Sequence, residues 1–84
     1  MTELTSMKNI GKELERKLKI IGVDSAEALK HTGSKEAFLR LKIRFPEVCL
    51  VHLYALEGAV TDTDFNQLPK ETKKELKEFS DKRE

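Results

Sequence analysis

Residues 47–59 form a segment of this chain that is apolar on nearly every side. Its apolar side chains are Val48, Leu50, Val51, Leu53, Tyr54, Ala55 and Leu56. At the helical period these side chains point in almost all directions, which is typical of a helix surrounded by other helices. The segment therefore predicts a central helix over 47–59, around which the rest of the 84-residue chain must pack.

The rest of the chain also has helical spacing, and no segment alternates apolar and polar residues for long enough to predict a strand. A first short helix is expected over 4–8. The next has an apolar face at helical spacing and ends at Gly22, which can adopt a left-handed conformation. That face consists of Ile10, Leu14, Leu18 and Ile21.

Boundary residues delimit three further helices. Asp24 is placed to cap a helix over 25–32 that ends at Gly33. Ser34 is placed to cap one over 35–45, which ends before Pro46. After a short segment through residue 68, a last helix starts at Pro69 and buries two apolar residues. These are Leu76 and Phe79.

The pattern predicts an all-α protein, a compact bundle of five to six short helices. A chain of 84 residues holds one core, so residues 1–84 are interpreted as a single domain, with 80–84 expected to fray. Cys49 is the only cysteine, which excludes an internal disulfide and favours a cytoplasmic protein. The longest apolar stretch is too short to span a bilayer, and no membrane partner is expected.

The net charge of +1 conceals an uneven distribution along the chain. Residues 8–20 carry five basic and two acidic side chains, and residues 35–44 carry four basic and one acidic. Residues 45–69, in contrast, carry four acidic side chains and no Lys or Arg. The molecule is therefore expected to have two basic helices and an acidic corner.

The turn at residues 9–11 suggests a helix-hairpin-helix-like unit at the N-terminus. Asn9 and Gly11 both tolerate a left-handed backbone, and the helix that follows has first amides without intrahelical partners. Such amides can hold a phosphate oxygen. The candidate nucleic-acid-binding residues are Lys8, Ile10, Gly11, Lys12 and Arg16.

Two residues weigh against that site. Asn9 stands where nucleic-acid-binding hairpins usually have a first glycine, and Glu13 stands where they usually have a lysine. An acid near a phosphate opposes the contact that supplies non-specific affinity, so any binding should be weak. The alternative, about equally favoured, is a tight connection that only places Ile10 in the core.

No catalytic or metal-binding constellation is expected, and no cofactor. Cys49 and His52 are neighbours on a helix but lack further ligands for zinc. Asp62 and Asp64 imitate the start of a calcium loop, yet Gln67 replaces its essential glycine. Capping of neighbouring turns explains these acids better.

Glu57 is expected to act as a structural brace. An acid at the end of an apolar helix is partly buried and must find hydrogen-bond donors. The backbone amides of a neighbouring helix start or loop are the expected donors. A role as a general base is disfavoured because no second catalytic group accompanies Glu57.

The chain resembles the C-terminal domain of the TfoX/Sxy family of bacterial competence regulators. The matching segments are 8–11, 18–23, 29–33, 37–41 and, most specifically, the Leu-Tyr-Ala-Leu-Glu-Gly-Ala sequence at 53–59. The resemblance implies five or so helices related to helix-hairpin-helix domains and an association with natural competence. It implies no enzyme and no cofactor. Phe65 departs from the tryptophan usual in the family, and the N-terminal domain of full-length regulators has no counterpart.

Two functions remain open. The first is a non-catalytic regulatory module that contacts a nucleic-acid backbone weakly through the hairpin, without reading bases. The second is a protein-interaction domain, in which a homodimer is one form. The near-zero net charge and uneven charge distribution suit the second function at least as well.

Overall fold

A computed structural model describes residues 2–82, and this part of the chain contains helices and no strand. The five α-helices and two 3-10 turns confirm the all-α prediction. The 3-10 turns span Leu4–Ser6 and Phe65–Gln67. The α-helices are α1 (Lys12–Ile20), α2 (Ala26–Thr32), α3 (Ser34–Arg44), α4 (Leu50–Thr61) and α5 (Lys70–Asp81).

Helix α4 is the central helix, as its composition predicts. It packs against α3, α5 and the second 3-10 turn, and Leu53 and Leu56 are fully buried. Its start differs from the prediction because residues after Pro46 form a turn, in which the Val48 amide donates to the Phe45 carbonyl at 3.0 Å. The helix therefore begins at Leu50.

The far end of α4 also lies beyond its predicted position. Gly58 and Ala59 are helical, and α4 continues to Thr61 before Asp62 takes a left-handed conformation at φ 56°. Gly58 lies inside α4 and does not end it, and a Cβ at this position would collide with Asn9 and Thr63.

The predicted capping residues at the starts of α2 and α3 were wrong. Ser25, rather than Asp24, accepts the Ala28 amide at 3.1 Å and caps α2. Gly33, at φ 88°, ends α2 and directly precedes α3. Ser34 is the buried first residue of α3 and makes no capping bond.

The two ends of the chain refine the predicted boundaries. The first predicted helix is a single 3-10 turn, so the hairpin has a very short first arm. Helix α5 buries Leu76 and packs Phe79 against the core, and it continues through Asp81 with Ser80 buried. Residues 83 and 84, where fraying was also expected, lie outside the described residues. Between residues 2 and 82 no helix has the length and apolarity needed to cross a membrane.

Candidate functional site

The candidate site is the start of α1, where the chain emerges from the predicted hairpin. Asn9 has the expected left-handed backbone at φ 70°. Gly11 does not: at φ −93° and ψ 179° it has the extended backbone usual for a residue that precedes a helix. The reversal is completed at Asn9, so no left-handed residue is needed at position 11.

Gly11 leaves the beginning of α1 uncovered. Gly11 and Lys12 are exposed, and no side chain caps the helix. A Cβ added at Gly11 would meet no atom within 4 Å. Neither backbone strain nor internal packing therefore requires glycine here, and no side chain within residues 2–82 accepts a capping hydrogen bond at the start of α1.

Asn9 is fully engaged inside the protein. Its Nδ2 donates to the carbonyl oxygens of Thr63 at 3.0 Å and Ala55 at 3.4 Å. Its Oδ1 accepts the Phe65 amide at 3.2 Å. The turn is thereby attached to the end of α4 and the segment that follows it, and the Asn9 side chain has no group left for a phosphate.

Gly58 makes this attachment possible. A Cβ at Gly58 would collide with Asn9 Nδ2 and with the Thr63 carbonyl oxygen. The Asn9 turn and the 53–59 sequence block are thus two sides of one contact. The sequence indicates the importance of each feature, but not that the two are in contact.

Ile10, the middle residue of the turn, is part of the hydrophobic core. It is only 5% exposed and belongs to the main hydrophobic cluster. Its side chain is therefore mainly an anchor for the turn.

The structure separates the predicted basic residues into paired and unpaired side chains. Lys8 and Lys12 are exposed, and neither has an ion-pair partner within residues 2–82. Arg16 instead donates to both oxygens of Glu13, at 2.5 and 3.4 Å. These hydrogen bonds lower the pKa of the Glu13 carboxyl, which stays ionised at neutral pH.

Lys17 is a buried basic residue of α1. It is 8% exposed, its Nζ lies 3.3 Å from Glu47, and it sits over the Phe45 ring at 5.5 Å from the ring centre. Lys17 therefore holds α1 to the turn before α4 and adds little to a binding surface.

Two depressions flank the exposed helix start. The first, about 530 Å³, has mixed charge and is lined by Glu3, Thr5, Ile10, Gly11, Lys12, Glu15, Lys19 and Asp24. The second, about 310 Å³, is more apolar and includes Leu14, Val51, Ala55 and Phe65. Gly11 borders both of them.

Glu57 contacts the start of a neighbouring helix, but through a side chain. Its Oε1 accepts the Ser34 hydroxyl at 2.6 Å, at the first residue of α3. The expected donors were backbone amides. The observed donor is instead the hydroxyl of Ser34, which is the first residue of α3. The contribution of this brace to stability stays a prediction.

Cys49 immediately precedes α4, and His52 lies in its first turn. The Cys49 amide donates to His52 Nδ1 at 3.1 Å, and Cys49 Sγ lies 3.6 Å from the same nitrogen. Burial lowers the pKa of His52, which favours the neutral ring that accepts this bond. No group of three or more His, Cys, Asp or Glu residues between 2 and 82 is arranged to hold a metal ion.

A family model for the TfoX C-terminal domain matches residues 1–80. The chain belongs to the TfoX C-terminal domain family. The resemblance read from the 53–59 block is thus confirmed, and the Asn9–Gly58 contact explains why this TfoX domain needs a glycine inside its central helix.

Two crystal structures from Listeria monocytogenes share the fold of this TfoX domain. An uncharacterized protein in a triclinic form is 43% identical, with a TM-score of 0.94 over 96% of this chain and 92% of that chain. A protein of unknown function in a tetragonal form is 44% identical, with a TM-score of 0.95 over 98% of this chain and 100% of that chain. Both are therefore domains of about the same size. A search of curated proteins finds no match.

Proposed function

We propose that this TfoX-family domain is a non-catalytic regulatory module that contacts a nucleic-acid backbone through the start of α1. The observation that supports the proposal is the start of α1 at Gly11, where no side chain caps the helix and both Gly11 and Lys12 are exposed. Amides at such a position, together with the helix dipole, favour a phosphate oxygen. Lys8 and Lys12 supply the exposed positive charge beside it.

The contact is weak and independent of base sequence. Only Lys8 and Lys12 are unpaired near Gly11, because Glu13 neutralises Arg16 and Glu15 lies 3.9 Å from Lys19. Two phosphate contacts correspond to a slope of about −2 in a plot of log affinity against log salt concentration for duplex DNA. The backbone amides carry no information about the bases.

The biological setting of the proposal follows from the family. Membership of the TfoX C-terminal domain family is consistent with a part in regulating natural competence, in the cytoplasm, where a lone cysteine stays reduced. No cofactor is required for this role, and an enzyme is not proposed.

Substituting Gly11 tests the proposal with little risk to the fold. Asp is a better residue than Gly in front of a helix, and its Cβ has open space at this position. Gly11→Asp should therefore keep or slightly raise thermal stability. Its carboxylate would occupy the first amides of α1 and repel a phosphate, so we expect about a tenfold loss of affinity for a labelled duplex at low salt.

Lys77→Gln is the matched control, since it changes the net charge by the same amount on α5, which packs on α4. It should leave binding nearly unchanged, whereas Lys12→Gln should weaken it. The proposal fails if the wild-type protein binds neither duplex nor single-stranded DNA at low salt. It also fails if Gly11→Asp binds as tightly as the wild type.

Protein association is the second candidate, and a separate observation favours it. Ile43, Val51 and Ile20 are 84%, 56% and 47% exposed, which leaves large apolar side chains on a domain that otherwise buries them well. Single exposed apolar residues are ordinary, but Val51 borders the more apolar of the two depressions beside Gly11, which makes that depression the candidate contact.

A further inference from the structure

The more apolar of the two depressions beside Gly11 lies between α1 and α4. Its volume is about 310 Å³, at the lower end of the range of about 300–1,000 Å³ that ligand sites usually have. The apolar lining comes from α1, α4 and the second 3-10 turn, and consists of Leu14, Val51, Ala55 and Phe65. The space therefore suits one small ring system.

The two ionic side chains in the lining of this depression are already paired inside the domain. Glu13 forms an ion pair with Arg16, and Lys17 Nζ lies 3.3 Å from Glu47. A phosphate or a carboxylate placed inside the depression would thus lose its hydration without gaining a free partner. The group that enters must be uncharged and largely apolar.

Positive charge lies at one end of the depression. Lys8 precedes Asn9 and Lys12 follows Gly11, and both Asn9 and Gly11 line the depression. The two lysines are exposed and have no ion-pair partner within residues 2–82. An uncharged interior with cations at one end is complementary to a molecule that carries uncharged rings on an anionic chain.

The other depression beside Gly11 is less suited to such a molecule. Its lining includes Glu3 and Asp24, neither of which has an ion-pair partner among residues 2–82. Unpaired carboxylates repel phosphates. A nucleotide whose phosphate lies near Gly11 therefore places its base on the α4 side.

The α4 side also offers groups that interact with a base. Phe65 is partly buried against the core and contributes an aromatic ring to the lining. His52 lines the same depression, and its Nδ1 accepts the Cys49 amide, so the neutral ring carries its proton on Nε2. An aromatic ring and an N–H donor match the flat face and the edge acceptors that every base has.

We propose that this depression binds an unpaired base of single-stranded nucleic acid. The base stacks on Phe65, Val51 closes the rim, and the adjoining phosphate lies near Gly11 beside Lys8 and Lys12. A duplex cannot supply this group, because its bases are paired and stacked inside the helix. The inference rests on the proposed function and narrows its ligand from any nucleic-acid backbone to a single strand of any sequence.

Two strands that differ only in their bases test the inference. A labelled oligothymidylate and an abasic strand of equal length carry the same number of phosphates. The wild type should bind oligothymidylate at least about tenfold more tightly at low salt. Equal affinity for the two strands, or tighter binding of a duplex, would overturn the inference and leave the backbone contact intact. Binding of no strand and no duplex would overturn both.

Phe65→Leu tests the stacking ring, because leucine keeps an apolar side chain at this position. We expect about a fivefold loss of affinity for oligothymidylate and no change for the abasic strand. Thermal denaturation establishes that the variant is folded. An equal loss for both strands would contradict stacking on Phe65.

A fluorescent reporter tests the position of the base directly. The chain contains no tryptophan, so Phe65→Trp introduces a single indole ring into the depression. Oligothymidylate should quench its fluorescence and the abasic strand should not. Ile43→Trp is the matched control, since Ile43 is 84% exposed on α3 and lines neither depression. Quenching in the control but not in Phe65→Trp would overturn the inference.

A protein side chain is the competing occupant of the depression. Val51→Asp places a carboxylate at the rim, in the first turn of α4, where an acid is compatible with the helix dipole. It should weaken the binding of oligothymidylate about tenfold. If it instead leaves this binding unchanged and abolishes self-association of the wild type in sedimentation velocity, the depression is a protein contact and the inference is wrong.

Discussion

Asn9 is the residue whose role the structure changes most. From the sequence it stood in place of a glycine that would suit a phosphate-binding hairpin. In the fold its side chain forms three hydrogen bonds to the end of α4 and the following segment, from a left-handed backbone that Asn tolerates. Asn9 thus makes the hairpin a fixed part of the core architecture.

Replacing Asn9 should destabilise the domain severely. Asn9→Ala removes these hydrogen bonds and adds the strain of a left-handed alanine, so we expect a loss of about 2–4 kcal/mol in the free energy of unfolding. Asn9→Gly should be less harmful by about 1 kcal/mol, because glycine accepts the backbone conformation. Urea denaturation followed by circular dichroism measures both.

Gly58→Ala should also destabilise the domain, by about 2–3 kcal/mol, since its Cβ collides with Asn9 and Thr63. In the Asn9→Ala background the same substitution should cost less, because one colliding atom is gone. Strictly additive losses in this double-mutant cycle would contradict the direct contact.

Among the helices, the start of α2 shows how a shift of one residue along the chain changes which side chain is the cap. Asp24 and Ser25 are both good capping residues, and the sequence favours Asp24 because 25–32 then reads as one helix. In the structure Ser25 has the extended backbone that a cap needs, and its hydroxyl accepts the Ala28 amide. Asp24 is exposed and lines the depression beside Gly11.

Ser25→Ala should therefore lower the free energy of unfolding by about 1 kcal/mol, through loss of the α2 cap. Asp24→Ala is the matched control and should stay within about 0.5 kcal/mol of the wild type. Thermal denaturation of both variants compares them directly. Equal losses, or a larger loss at Asp24, would mean that the α2 cap is misassigned.

At the scale of the whole molecule, the N-terminal segment is tied to α2 by a carboxylate. Glu27 accepts the Thr2 amide at 2.9 Å and the Thr2 hydroxyl at 2.8 Å, while the Ala26 amide donates to the Thr2 carbonyl at 2.9 Å. The bonds from Thr2 lower the pKa of Glu27 to about 2.

This shift predicts a specific loss of stability in acid. The ionised form of Glu27 is favoured by folding, so its contribution is fully present above the unfolded pKa of about 4.3 and disappears as the pH falls toward 2. Glu27→Gln lacks this contribution at every pH. Urea denaturation from pH 2 to 7 should show the wild type more stable at neutral pH and the two proteins converging in acid. A constant difference across this range would contradict the assignment.

The charge distribution is also decided at this scale. The two basic helices predicted from the sequence exist, but several of their cations pair with acids on the same helix, at Glu13–Arg16, Glu15–Lys19 and Glu36–Arg40. Counting charges along the sequence overestimates the positive surface, because a helix brings residues three and four apart together. Of the cations in 8–20 and 35–44, those that are exposed and have no ion pair within residues 2–82 are Lys8, Lys12, Lys35 and Arg44, and Lys35 lies over the Phe79 ring.

Local signals in the sequence are sufficient to predict the fold class, the central helix and the family. Helical periodicity, glycines at Gly22 and Gly33, and an apolar segment with no polar face are local signals that remain valid in any packing. The exact helix boundaries do not follow from local signals, because neighbouring residues such as Asp24 and Ser25 can cap the same helix with similar energies.

The roles of Asn9, Gly58 and Lys17 depend on packing between distant segments of the chain. Asn9 and Gly58 are 49 positions apart, and their contact exists only once α4 lies beside the hairpin. The removal of Lys17 into a contact with Phe45 and Glu47 likewise depends on packing. The depressions beside Gly11 are likewise formed between segments that are distant in the chain, so sequence spacing alone does not predict them.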